Sequence, residues 1–425
     1  RMVALAIWLR HGHRRWTSSS SAWLRGRRCL AATAESADKA SGGKLDPAHF
    51  FELLRGHGTQ FFTGVPDSLM KEMCDCIQTK AVQGEQHVIA ANEGTALALA
   101  AGYHLATGRV PCVYLQNSGL GNLVNPLLSL CSTEVYSIPT LLLVGWRGEP
   151  GKKDEPQHKL QGELTPKMLE TMRVPYEVLP TEAEAICSVL ERAYTHMATQ
   201  RSPFALLVKK GSFEKFSSQR HGHRHGALTR EEILELIVEL LPEAALVTST
   251  GYTSRELFEL RKRRGESHRQ DFLTVGSMGH SSSIALGIAL QQPKKEVICV
   301  DGDGAAIMHT GAFSSIGKTH PANFKHIIVN NAVHDSVGAQ PTGGEHVDFG
   351  AIALACQYKG ARRVAVPDEV RSAVRELPNM PGPYLLEVLA KRGTRADLGR
   401  PTTSTHENKR EFMDMLREGR PEEAD

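Results

Sequence analysis

The sequence predicts an α/β protein of two doubly wound domains, each a parallel sheet covered by helices, with no middle domain between them. Three observations carry that expectation. Short apolar runs such as Phe204-Ala205-Leu206-Leu207-Val208 and Val297-Ile298-Cys299-Val300 alternate with helical stretches in both halves, as in parallel sheets buried on both faces. The chain has 425 residues, 41% of them hydrophobic, enough for two cores of ordinary size. A polar break, Arg220-His221-Gly222-His223-Arg224-His225-Gly226, separates the halves, and Thr229-Arg230-Glu231-Glu232 then opens a helix with a capping-box pattern.

Residues 1–44 read as a leader. The first 34 residues hold seven arginines, several serines and no acid before Glu35, which is the composition of a mitochondrial or plastid transit peptide. Its apolar run, Met2 to Leu9, is too short to span a bilayer. A basic arm for nucleic acid is the alternative, but no aromatic platform or recognition helix supports it. Neither a membrane nor a nucleic-acid partner is therefore expected.

The first domain is placed at 45–216 and the second at 228–400. Histidines alternate every second residue in the linker, 217–227, with no cysteine nearby. A solvated basic linker suits that pattern better than a metal site. Residues 401–425 read as a charged tail. Eight scattered cysteines form no Cys-x-x-Cys pair, the usage of buried thiols in a reducing compartment.

Chemistry concentrates in the second half. The strand Val297–Val300 ends in Asp301-Gly302-Asp303-Gly304, and the strand Phe324–Val329 ends in Asn330-Asn331, 28 residues after Asp303. Two neighbouring parallel strands thus present a carboxylate and an amide, hard oxygen ligands of the kind that suit Mg²⁺ or Ca²⁺. A helix opening at Ala305 would add free N–H groups for an anion. Asp-Gly at a strand end is also an ordinary turn, and the second polar strand end favours ligation over that reading.

This segment resembles the signature of the thiamine-diphosphate-dependent decarboxylases, the relatives of pyruvate decarboxylase and acetolactate synthase. The resemblance implies that Asp303, the Asn331 side chain and the Val333 carbonyl hold Mg²⁺. It also implies that Gly302, Gly304, Ala305 and Thr253 meet the diphosphate of thiamine diphosphate. Gly276-Ser277-Met278-Gly279 agrees with it: Met278 would wedge the cofactor into its bend, and the Gly276 carbonyl would face the aminopyrimidine. Taken alone, Met278 reads as an ordinary core methionine.

Such chemistry needs a carboxylic acid in an apolar wall, with a raised pKa. Glu93 opens a helix of small residues with no other charge until His104. By itself it would be a helix-dipole partner; the resemblance makes it the activating acid. Two further loops would face substrate. Gly64-Val65-Pro66-Asp67-Ser68 carries Asp67, near the place of a working acid in several relatives, and Gln116-Asn117-Ser118 offers amides and a hydroxyl to a keto acid. A solvated loop would read similarly.

Gly145 to Gly151, Asp154 to His158 and His334-Asp335-Ser336 resemble the branch of this family that decarboxylates phosphonopyruvate. Ala332 and Ala339 stand where that branch leads one to expect glycine. For the dianionic substrate the nearby donors are Arg147, Lys152, Lys153, His158 and His334, with His334 beside the metal-binding turn and assigned a catalytic role. A sulfopyruvate or other 2-keto acid decarboxylase is the alternative, and a cofactor-binding subunit without turnover is a weaker one. The resemblance also implies a homodimer or higher homo-oligomer in which Glu93 of one subunit meets Asp303 and Asn331 of another.

Overall fold

The structure is a computed structural model that describes residues 43–216 and 226–418. All but the last two residues of the expected leader, nearly all of the expected linker and the last seven residues lie outside the described residues. Two six-stranded parallel sheets organise the chain. The first is built from β1 (Phe62–Gly64), β2 (His87–Ile89), β3 (Cys112–Gln116), β4 (Leu141–Gly145), β5 (Tyr176–Val178) and β6 (Phe204–Val208), in the order β2-β1-β3-β4-β6-β5. The second uses β7 (Ala245–Thr248), β8 (Asp271–Leu273), β9 (Val297–Gly302) and β10 (Phe324–Asn330). A two-residue antiparallel pair follows, β11 (Val333–His334) with β12 (Gln340–Pro341), and then β13 (Gly360–Val364) and β14 (Tyr384–Leu389) complete the sheet as β13-β14-β10-β9-β7-β8. Counting strands within each sheet, both have the order 2-1-3-4-6-5, so the fold repeats where the sequence shows no repeat.

Alternation along each strand explains why both faces are covered. Leu141 and Leu143 enter one core while Leu142 and Val144 enter the other. Ile298 and Val300 are divided from Val297 and Cys299 in the same way. Each fully buried Leu, Ile or Val contributes about 1.5–3 kcal/mol on leaving water, and four such layers hold the two sheets. Among the described residues no helix is long and apolar enough to cross a membrane.

The segment read as a charged tail is helical over its first part. Residues Thr405–Arg417 form a helix whose Phe412 and Met415 are buried in the second core. Its Asn408 side chain donates to the Asp271 carbonyl at 2.8 Å and accepts from the Leu273 amide at 3.2 Å. An amide therefore satisfies the open backbone of β8, an edge strand that would otherwise be a site for unwanted pairing. The charges read in this segment lie on the helix's outer side.

The carboxyl-terminal ends of both sheets meet. The Asn92 amide donates to the Met308 carbonyl at 3.2 Å, and the Gln340 amide donates to Asp75 Oδ1 at 2.5 Å. Arg400 pairs with Glu155 at the same junction. Open α/β sheets bind ligands outside these strand ends, where the strand order reverses. Here the reversals fall between β1 and β3 and between β7 and β9.

Candidate active site

The second reversal holds a cavity of about 70 Å³. Asp303 stands at its centre, in the first turn of the Asp303–Met308 helix; the helix begins two residues earlier than the sequence suggested. The carboxylate is buried and makes no ion pair among the described residues. Burial raises its pKa to about 7, against the opposing hydrogen bond from the Thr342 hydroxyl. A buried carboxylate without a cation is costly to ionise, and a divalent ion would reverse that cost. The residues present therefore fit Mg²⁺.

Asn331, Val333, Gly302, Gly304 and Ala305 line the same cavity, as do Thr253, Met278 and His334. Thr253 lies in the first turn of the Tyr252–Arg264 helix, whose N-cap is Gly251 at φ 93°. That backbone conformation favours glycine. No side chain caps the helix, which leaves its first N–H groups for an anion. Ser249 Oγ accepts from the Gly302 amide at 3.2 Å and so ties the end of β7 to the end of β9. Gly276, although placed with the cofactor group from sequence, packs against Gln157 of the first half and is not among the cavity's lining.

His334 packs its ring against Gly304. Burial lowers its pKa to about 4, so it offers a neutral imidazole at pH 7 and no fixed positive charge.

At the first sheet, Glu93 opens the Glu93–Thr107 helix behind the N-cap Asn92, whose side chain accepts from the Thr95 amide. The Glu93 carboxyl is 5% exposed. Its Oε2 accepts from the Asn122 amide at 2.7 Å, while Oε1 lies against Gly119, where any side chain would collide with it. Burial raises its pKa, with the Asn122 bond opposing. Through Asn92 and Met308 this helix touches the helix of Asp303.

The first-half loops depart from expectation in two places. Asp67 is fully buried; Gln116 donates to its Oδ1 at 2.6 Å, and burial raises its pKa. It holds Gln116 in place. Asn117 turns inward, donating to the Arg147 carbonyl at 2.8 Å and to Thr165 Oγ1 at 2.9 Å. A substrate role for Asn117 is thereby corrected, because its amide joins two loops of the scaffold. Ser118 is exposed and donates to Gln116 Oε1 at 2.8 Å, so Gln116 and Ser118 form one polar surface.

Arg147 is likewise engaged. Its Nε and Nη2 reach the two Asp154 oxygens at 2.8 and 2.5 Å, and its Nη1 reaches Ser68 Oγ at 3.0 Å. Lys152 and Lys153 are exposed, and His158 is buried.

Two family models match the chain. "Thiamine pyrophosphate enzyme, N-terminal TPP binding domain" covers residues 48–169, and "Thiamine pyrophosphate enzyme, C-terminal TPP binding domain" covers residues 249–388. The chain belongs to the thiamine pyrophosphate enzymes. Its cofactor is thiamine diphosphate, and the two matched regions contain the Glu93 and Asp303 strand ends respectively. Among related thiamine pyrophosphate enzymes, a phosphonopyruvate decarboxylase of Streptomyces hygroscopicus is 35% identical, over 87% of this chain and 94% of its own length. A phosphonopyruvate decarboxylase of Streptomyces viridochromogenes is 32% identical, over 84% and 92%. A sulfopyruvate decarboxylase of Methanosarcina acetivorans is 27% identical, over 80% and 90%.

Sequence reasoning missed several residues of this thiamine pyrophosphate enzyme site. Arg230, Ser249, Tyr252 and Asp335 also line the cavity. His280 and His309, with ring centroids 4.3 Å apart, lie next to Gly279 and Met308, and His309 Nε2 is buried with no hydrogen-bond partner among the described residues. Arg230 carried a sequence signal as the residue after a helix cap, and Asp335 as part of His334-Asp335-Ser336.

Proposed function

We propose that the chain decarboxylates 3-phosphonopyruvate to phosphonoacetaldehyde and CO₂, using thiamine diphosphate and Mg²⁺, in the biosynthesis of phosphonates such as 2-aminoethylphosphonate. The observation that carries this reading is the approach of two strand ends, one with the buried carboxyl of Glu93, its pKa raised by burial, and one with the oxygen cluster of Asp303 and Asn331. Bound thiamine diphosphate supplies the electron sink when CO₂ leaves.

The chain's own residues do the rest. Asp303, the Asn331 amide oxygen and the Val333 carbonyl hold Mg²⁺. The first turn of the Tyr252–Arg264 helix and the backbone of Gly304 and Ala305 receive the diphosphate. Met278, which lines the cavity, would pack against the cofactor, and the Gly276 carbonyl would face its aminopyrimidine. Glu93 Oε2 is taken by Asn122, which leaves Oε1 as the atom that would exchange a proton. Gln116 and Ser118 orient the keto acid, and the unpartnered His309 Nε2 is available to the anionic end of the substrate. Asp67 acts through Gln116, and His334 donates as a neutral imidazole.

Two relatives named for phosphonopyruvate, matched over most of both chains, support this substrate over the sulfonate. The more distant sulfopyruvate relative keeps that acid as the second reading. A silent cofactor-binding subunit is disfavoured by the intact Glu93, Asp303 and Asn331.

We further propose a homodimer or higher homo-oligomer with sites shared between subunits. Leu99 and Leu105 of the Glu93–Thr107 helix, with Leu128 and Tyr136 after it, are exposed apolar side chains in the first domain. Import into a mitochondrion or plastid remains part of the proposal, on the composition of residues 1–44.

The test is CO₂ release from phosphonopyruvate, sulfopyruvate and pyruvate at matched concentrations, with thiamine diphosphate and Mg²⁺. Preference for phosphonopyruvate is expected. Preference for another acid would move the substrate, and no release from any would return the silent-subunit reading.

A further inference from the structure

Beside the cavity lies a buried charge network that the proposed reaction does not require. Arg230, 7% exposed, donates from Nε and Nη2 to the Glu256 carboxylate at 2.7 and 3.0 Å. Its Nη1 reaches Asp335 Oδ2 at 3.1 Å. The same Asp335 oxygen accepts from the Asn331 Nδ2 amide at 2.7 Å, while Asp335 Oδ1 accepts from the Gly393 amide at 3.1 Å. Glu256 is braced in turn by the Thr394 hydroxyl at 2.7 Å.

The consequence falls on one torsion. An asparagine amide has a donor end and an acceptor end, and the surrounding network decides which way it faces. With Nδ2 on Asp335, the Asn331 oxygen is turned away from that carboxylate, where its recorded partner is the Val333 amide at 3.2 Å. Rotating the amide by half a turn would set Oδ1 against Asp335 Oδ2, two acceptors facing each other in a buried site. Asp335 could also swing away, but the Arg230 guanidinium and the Gly393 amide hold it from two sides. Arg230 in turn cannot leave Glu256 without exposing a buried carboxylate. The set of Asp303, Asp335, Glu256 and Arg230 brings three carboxyl groups together with one guanidinium, a donor set that complements a divalent cation.

We infer that Asp335, held by Arg230, is a positioning residue that presents the Asn331 amide oxygen to the metal and thereby sets divalent-cation affinity. This rests on the proposed reading of Asp303 and Asn331 as metal ligands. Carboxylates that orient a metal's direct ligands typically govern affinity by about 10–100-fold.

The test uses the full chain with thiamine diphosphate and follows the shift in melting temperature as Mg²⁺ is titrated. Asp335→Asn is expected to raise the half-saturating Mg²⁺ concentration at least about tenfold. Arg230→Met is expected to do the same, and the double variant is expected to add little to either alone, because both act through one amide. A general structural role would lower the metal-free melting temperature without moving the half-saturation point. Asp303→Ala separates the two layers of the argument: it should abolish the Mg²⁺ dependence. If Asp303→Ala does so while Asp335→Asn and Arg230→Met titrate as the unaltered chain, the positioning role is overturned and the ligand assignment stands. If Asp303→Ala leaves the Mg²⁺ response intact, both are overturned. Should Asp335→Asn not fold, Arg230→Lys, too short to span Glu256 and Asp335 together, carries the same expectation.

Discussion

Asn92 donates its side-chain amide to the carbonyl of Met308 across 3.2 Å, a bond spanning 216 positions in the sequence. The same side chain caps the Glu93–Thr107 helix by accepting from Thr95. One residue thus fixes the start of the acid's helix and attaches that helix to the one that begins at Asp303. Replacement by serine separates these tasks. Serine is an equivalent N-cap but too short to reach Met308. Asn92→Ser should change the melting temperature by only a degree or two, since the lost hydrogen bond is worth about 0.5–1.5 kcal/mol, while decarboxylation falls several-fold. Unchanged turnover would show that this bond does not align the two strand ends.

A second expectation concerns backbone strain. Ala332 and Ala339 have φ of 59° and 55°, in the left-handed region that costs an L-residue about 1–2 kcal/mol. Glycine removes that cost but adds about 0.4–1 kcal/mol of unfolded-state entropy. Ala332→Gly and Ala339→Gly should therefore each stabilise the chain by up to about 1 kcal/mol, measured by urea unfolding. Destabilisation by either would mean that the methyl group packs in a way that outweighs the strain.

These two alanines also show what the sequence revealed and where it stopped. A departure from an expected glycine could be read from the residues alone, and the structure places both at positive φ. The apolar runs of β9 and β10, with Asp303 and Asn331 at their ends, were equally legible because strand burial and strand-end polarity are local patterns. Partners far apart in sequence were not. Asn117 looked free to meet substrate because nothing local shows that Thr165 waits 48 residues away. Arg147 looked like an anion donor, yet Asp154 takes its fork. Arg230 and Asp335 lie 105 positions apart, and the shared strand order of the two sheets is a property of pairing that no residue spells out.

The third expectation is a pH dependence. His87 is buried, bonded to Tyr114 at 2.7 Å and to Gln83 at 3.0 Å, and burial lowers its pKa from 6.5 to about 4. Above pH 6.5 the ring is neutral folded or unfolded, so its contribution to stability is complete. As pH falls toward 4 the unfolded chain takes up a proton that the folded chain resists, and stability is lost, by up to about 3 kcal/mol for this one group. His87→Gln should reduce the difference between urea midpoints at pH 7.5 and pH 5, with His334 contributing a remainder of the same sign. An unchanged difference would place the titrating group elsewhere.

Sharing of the site between subunits has its own test. Glu93→Gln and Asp303→Ala chains are each expected to be inactive. Refolded together, mixed dimers would hold one site with both residues intact if the site is built across subunits, restoring roughly a quarter of normal activity in a random mixture. No recovery would assign each site to a single chain, with Asn92 and Met308 joined as they are here.

The central claim is that Glu93 supplies the proton on which the cofactor's activation depends, and Glu93→Gln tests it most directly. CO₂ release from phosphonopyruvate is measured beside thiamine diphosphate binding, at saturating Mg²⁺. The account predicts a loss of at least about 100-fold in turnover, the scale of a missing general acid, with cofactor binding retained because Asp303 and Asn331 are untouched. Full turnover by Glu93→Gln would contradict it.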